Sequence, residues 1–295
     1  MKYFIFCALF LLHGYAFSQT AILEAYGDSV TAGLLNYTNV THETKLTTVS
    51  TILSDLTMFK LTKDRAYLNK HEKGELAWPQ LLAQHLTTTE MQFEVRNYGL
   101  SGAQSENLIT EVSNAKDVAP EEPVIAFFLI GYNDLCHNIN SEQTLASNYN
   151  NNLDKALEIW DKNHKGGKAY LISLADVQKI YPLLDGQVWF ESSKGRYRCN
   201  ESWEKLFPYC STFSKKFKEG TLNDYLAPRV DALNNTLKEL TEKWKNKSIR
   251  NQYFRIEPPL GMDFQKDHFA IDCYHLSNKG QSFVSKQIFD SVGWQ

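Results

Sequence analysis

Beyond its first twenty residues the chain has no apolar run of the roughly 20 residues that a membrane-spanning helix requires. It has no dense basic stripe, and its net charge of −3 argues against a general nucleic-acid binder. No His-Glu-x-x-His pattern occurs, which removes that metalloprotease signature. Cysteine is sparse, five residues in 295, and the spacings fit no common zinc site. Internal repeats and low-complexity tracts are also missing, so a repeat architecture has no support.

What remains is ordinary globular material. Apolar residues make up 43% and charged residues 22%, and 295 residues suit one large α/β domain, alone or with insertions. The start, MKYFIFCALFLLHGYAFSQT, has a short basic beginning, an apolar run and small residues at Ala16 and Ser18. This reads as a secretory signal spanning 1–18, leaving 19–295 as a single domain. Cys7 lies inside the apolar run, so a lipoprotein signal fits poorly. The mature protein is expected to be soluble and either secreted or periplasmic. Cys136, Cys199, Cys210 and Cys273 then remain, and an even count in an exported protein favours two disulfides. Three pairings are open; proximity singles out Cys199 with Cys210, leaving Cys136 for Cys273.

Strand-like runs recur at Ala21–Tyr26, Phe93–Tyr98, Val124–Ile130, Ala169–Leu174 and Gln252–Ile256. Helical stretches fall between them at Trp78–Leu86, Ser105–Ala115, Glu142–Asn163 and Asn223–Lys245. A last helix runs from about Ser277, a plausible N-cap, to Val292. Alternating segments of this kind predict a parallel sheet with helices on both faces. Two stretches exceed simple connections. In the one near 34–77, Leu46, Val49, Ile52, Leu53, Leu56 and Phe59 resemble one apolar face of a short helix. The one near 185–221 carries Cys199, Cys210 and several aromatics and reads as a disulfide-pinned flap. Insertions of this length in a compact domain are often binding loops. Asn36-Tyr37-Thr38 and Asn39-Val40-Thr41 are glycan acceptors only in a eukaryotic secretory pathway.

Four turns carry the chemistry. An apolar strand feeds Gly27-Asp28-Ser29, which puts a serine hydroxyl at the carboxyl end of a strand, where open α/β sheets place their sites. The competing reading makes Ser29 a helix cap. Serine attacks only when a base takes its proton, and the oxyanion that forms needs donors already in place. Asn97-Tyr98-Gly99-Leu100-Ser101-Gly102 offers backbone N–H groups at a strand-to-helix turn. Gly131-Tyr132-Asn133-Asp134 offers an uncharged amide donor at the end of a fully apolar strand. Asp272-Cys273-Tyr274-His275 offers a base and a carboxylate to orient it. Taken singly, each of these could be a plain turn, cap or structural histidine.

Together, Gly27-Asp28-Ser29, Gly102, Gly131-x-Asn133-Asp134 and Asp272-x-x-His275 resemble the four motif blocks of the SGNH, or GDSL-type, esterases and lipases, in the same order. Val30 stands where the family name has Leu. The resemblance implies a three-layer α/β/α, flavodoxin-like fold with a five-stranded parallel sheet. It implies Ser29 as nucleophile, His275 as general base and acid, and Asp272 as its orienter. The backbone N–H groups of Ser29 and Gly102 and the side chain of Asn133 would form the oxyanion hole. Cofactors and metals are not implied. Asn133-Asp134-Leu135-Cys136 and Asp272-Cys273-Tyr274-His275-x-Ser277 further resemble the phospholipase B branch, which implies lipid acyl esters as substrates, at a membrane surface. A carbohydrate O-acetyl esterase and an inactive hydrolase-fold binding protein are the alternatives. No nucleic-acid partner is expected, and the oligomeric state is not specified.

Overall fold

A computed structural model describes residues 19–34, 77–88, 91–115, 122–136, 141–192, 195–199, 203, 210–257, 264–270 and 272–293. The segment 1–18 read as a secretory signal, the apolar segment between 34 and 77 and both Asn-x-Thr sites lie outside these residues.

The chain begins with β1 (Gln19–Gly27), followed at once by the single turn α1 (Ser29–Ala32). Then come α2 (Trp78–Leu86), β2 (Met91–Asn97), α3 (Asn107–Ser113) and β3 (Val124–Leu129). After β3 lie the short α4 (Tyr132–Cys136), the long α5 (Glu142–Asn163) and β4 (Lys168–Ile172). The 185–221 region is prefaced by α6 (Ile180–Leu184). It contains the antiparallel hairpin β5 (Val188–Ser192) and β6 (Gly195–Arg198), then α7 (Ser211–Lys218). The chain ends with α8 (Leu222–Lys247), β7 (Gln252–Ile256) and α9 (Asn278–Val292).

Five strands form one sheet in the order β2-β1-β3-β4-β7, all parallel. Helices α2 and α9 pack together on one face, and α3, α5 and α8 form the layer on the other. β3 is buried along its whole length, as a central strand covered on both faces must be. Ring pairs stack across the strands, Tyr26 on Phe128, and Phe127 on Tyr170 on Phe254. Glu24 on β1 is fully buried, and its carboxylate is met by the Tyr26 hydroxyl at 2.8 Å and the Trp160 indole N–H at 3.0 Å. That pair fastens α5 to the central strands. Ser277 caps α9 as expected, its Oγ accepting from the Gly280 N–H.

From β1 the chain crosses to β2 on one side and returns to β3 on the other, so the strand order reverses between β1 and β3. Open α/β sheets form their clefts at such a reversal, beyond the carboxyl ends of the strands. Ser29 follows β1 and Asn133 follows β3, so both lie there. Among the described residues, no helix is long and apolar enough to cross a membrane.

Candidate active site

The turn after β1 is built so that one side chain caps the helix and the next is left free of that role. Asp28 is the N-cap of α1, its Oδ1 accepting from the Val30 N–H at 2.9 Å. Ser29 is therefore not the cap. Its hydroxyl donates instead to His275 Nε2 at 2.7 Å. Three contacts hold the turn. The Gly27 N–H donates to Glu111 of α3, and Asn97 Nδ2 donates to the Thr31 carbonyl. Gln281 of α9, fully buried, donates to the Val30 carbonyl and accepts from the Trp78 N–H.

His275 sits in a tight loop closed at its base by the Phe269–Leu276 bridge. Within it the Cys273 N–H donates to the Ala270 carbonyl and the Ala270 N–H to the His275 carbonyl. Asp272 Oδ2 lies 2.5 Å from His275 Nδ1, while Oδ1 accepts the backbone N–H groups of Tyr274 and His275. A carboxylate on Nδ1 keeps the proton there and leaves Nε2 to accept from serine. Asp272 is fully buried, and burial alone would push its carboxyl up. The facing His275 and these backbone donors outweigh that and hold it below the ordinary carboxylate value. Cys273, between the two, has a left-handed backbone (φ 60°), uncommon for a residue with a Cβ.

One of two disulfides holds this turn, and their pairing differs from the one that sequence proximity favours. Cys199 is bonded to Cys273 and Cys136 to Cys210, with Cα atoms 5.3 and 4.5 Å apart. The 199–210 stretch therefore does not close on itself. One end is stapled to the His275 loop and the other to the end of α4, which carries Asn133. The indole of Trp203 reinforces the first staple by donating to the Cys273 carbonyl at 2.9 Å. The flap read from 185–221 is thus pinned, but to two separate turns of the site.

The donor turns come from opposite sides of β1. The loop after β2 is sewn to the serine turn: the Leu100 N–H donates to the Gly27 carbonyl, and a Cβ on Gly99 would stand 2.7 Å from the Ala32 nitrogen. Only glycine permits that approach. Gly102 has a left-handed backbone (φ 76°), is exposed, and faces open space where a Cβ would point. It is not among the residues that line the cavity containing Ser29 and Asn133. Asn133 is buried; one amide hydrogen donates to the Ala103 carbonyl at 2.9 Å, which leaves the second available.

A cavity opens from Ser29 and Asn133 into the interior. Ile172, Ile256, Phe264, Phe269, Val284 and Ile288 give it an apolar wall between the sheet and α9. Tyr181 of α6 and Phe213 of α7 line it too, so the insertion contributes to the chamber. Asp28 also borders it. Burial pushes the Asp28 carboxyl up to about 7, against the pull of the Val30 N–H. Sequence reasoning missed Gln281 and the wall from β4, β7 and α9, and placed Trp203 only among the aromatics of the flap, because each reaches the site across the fold and no local pattern marks it.

The sequence matches the family described as GDSL-like lipase/acylhydrolase over residues 23–288. Among solved structures the chain is similar to a lipolytic G-D-S-L family protein from Veillonella parvula, at 13% identity, covering 93% of this chain and 100% of that one, with a TM-score of 0.45. It is also similar to TesA (12% identity, 92% and 98% covered, TM-score 0.48). A third similar structure is an acetyl-xylooligosaccharide esterase from Geobacillus Stearmophilus (13% identity, 94% and 97% covered, TM-score 0.46). No curated protein matches the chain. The family match runs from within β1 to within α9 and takes in all four turns described above, and by it the chain belongs to the GDSL-like lipase/acylhydrolase family of carboxylic ester hydrolases.

Proposed function

We propose that Ser29, His275 and Asp272 are the catalytic triad and that the enzyme hydrolyses acyl esters of lipids, phospholipids or lysophospholipids among them. Ser29 Oγ attacks the acyl carbonyl as His275 Nε2 takes its proton. Asp272 keeps the imidazole in the required tautomer and stabilises the imidazolium. The oxyanion is met by the backbone N–H groups of Ser29 and Gly102 and the free amide hydrogen of Asn133. His275 returns the proton to the leaving alcohol, and water then releases the acid by the same route. Every step uses groups of this chain.

The observation that carries the substrate reading is the cavity wall: the space reached from Ser29 is bordered mainly by aliphatic and aromatic side chains, which suit an acyl chain. The leader at 1–18 and the two disulfides support an exported protein, with 19–295 as one domain. The cysteine-bearing third and fourth blocks support the phospholipase B-like branch.

The test is hydrolysis of p-nitrophenyl esters from acetate to palmitate by wild type and Ser29→Ala. Medium- and long-chain esters are expected to be cleaved, and the variant to lose at least about 10³-fold in kcat. Activity confined to acetate would move the assignment to sugar deacetylation. Full activity in Ser29→Ala would overturn the triad, and a folded wild type that cleaves nothing would indicate a binding protein.

A further inference from the structure

The proposed oxyanion donors stand on separate segments, yet they must keep a fixed spacing. Gly102 lies on the loop after β2 and Asn133 on the turn after β3. Asp134 is the neighbour of Asn133 in α4. It is buried, and it reaches back 29 residues to Ser105. The Ser105 N–H donates to Oδ2 at 2.9 Å and to Oδ1 at 3.2 Å, and the Ser105 hydroxyl donates to Oδ1 at 2.5 Å. Asn152, one helix further out on α5, donates to the Ser105 oxygen at 3.0 Å and fixes the direction of that hydroxyl. Two residues before Ser105, the Ala103 carbonyl takes one hydrogen of the Asn133 amide. The two segments are thus joined twice, through Asn133 and Asp134 on one side and Ala103 and Ser105 on the other.

We infer that Asp134, Ser105 and Asn152 form a positioning clamp that sets the distance between the Gly102 N–H and the Asn133 amide. The inference rests on the triad and oxyanion-hole reading above. Three hydrogen bonds converge on one buried carboxyl, and breaking them would leave buried polar groups unsatisfied, so this contact resists the sliding of one loop past the other. The Asn133–Ala103 bond alone would allow the amide to pivot. Asp134 acts from behind, touching neither substrate nor serine, and its effect falls on the oxyanion and not on the bound ester. Displacement of donors by about 1 Å costs on the order of 10²-fold in rate, and loss of a contact made only in the transition state lowers kcat without raising KM.

The experiment compares wild type with Ser105→Ala, Ser105→Thr, Asp134→Asn and Ser29→Ala on p-nitrophenyl butyrate; rates are normalised to active sites titrated by a fluorophosphonate, except for Ser29→Ala, which is normalised to folded protein. Ser105→Ala and Asp134→Asn are expected to lose about 10- to 100-fold in kcat with KM within about twofold of wild type. Inhibition by an alkyl boronic acid, which mimics the tetrahedral oxyanion, is expected to weaken in parallel. Ser105→Thr keeps the hydroxyl and should recover most of the rate. A merely structural role would lower the fraction of titratable sites and leave kcat per site alone, and that result overturns the clamp. So does loss of rate with an unchanged boronate affinity. If Asp134→Asn fails to fold, the Ser105 pair decides. An active Ser29→Ala overturns the triad and the clamp with it; an inactive one beside a fully active Ser105→Ala overturns the clamp alone.

Discussion

Asp28 caps α1 with one carboxylate oxygen and buries the other beside the cavity, and its pKa of about 7 has a consequence for stability. The folded protein keeps a proton on Asp28 that the unfolded chain releases near pH 4. Because the native state binds that proton more tightly, stability falls as pH rises from about 4 to about 7 and levels off above that. Asp28→Asn, which still accepts from the Val30 N–H, should match wild type near pH 4 and exceed it at pH 8 in denaturant unfolding. An equal difference at both pH values would trace the effect to the cap and not to ionisation. Asp272 has the opposite sign: its depressed pKa contributes stability at neutral pH that is lost on acidification through its folded value. Asp272→Asn should fold and lose about 10²- to 10⁴-fold in kcat, because an amide facing His275 Nδ1 favours the wrong tautomer. Asn133→Ala should lose about 10²- to 10³-fold with KM little changed. Ser29, Gly102 and Asn133 were legible because they stand in turns after strands, and Asp272 and His275 because they come just before the last helix, where side-chain type and position in the chain carry information together. Asp28 as the cap was not, since Asp and Ser at adjacent positions are equally good caps on paper.

At the scale of elements, the five sheet strands were legible to within a few residues, since a parallel sheet covered on both faces leaves short, continuously apolar runs. β4 ends at Ile172 and not Leu174, because Asn234 takes the Leu174 N–H and carbonyl out of the ladder. The hairpin β5–β6 and α7 were not legible. They are short, and what holds the region is its pair of disulfides and aromatic contacts such as Tyr181 with Trp203, not a periodic apolar face. Helix α9 serves both the serine turn, which Gln281 steadies, and the cavity, whose wall includes Val284 and Ile288. Enlarging Ile288 to Phe should shorten the cavity without touching the serine turn. Relative to wild type, kcat/KM for palmitate is expected to fall by at least about tenfold, by the few kcal/mol that overpacking and lost apolar contact cost, while acetate hydrolysis holds. A uniform fall for both esters would show that this wall does not receive the acyl chain.

For the whole molecule, the hydrogen-bonded pair proposed as nucleophile and base comes from opposite ends of the chain: Ser29 and His275 are 246 residues apart. The disulfides each span 74 residues, and closing loops of that length stabilises a fold by about 4 kcal/mol in the chain-entropy account. Removing Cys199–Cys273 as a Ser pair should lower the unfolding midpoint and also kcat, since it frees the turn that holds Asp272 and His275. Removing Cys136–Cys210 should affect stability at least as much as rate.

The two bonds also interleave along the chain, 136 with 210 and 199 with 273. A single protease cut anywhere between residues 136 and 273 therefore leaves both pieces covalently joined, and a cut between 199 and 210 leaves them joined twice. A nicked molecule should migrate as an intact chain without reductant, separate into two with it, and keep hydrolysing esters until the reductant is added.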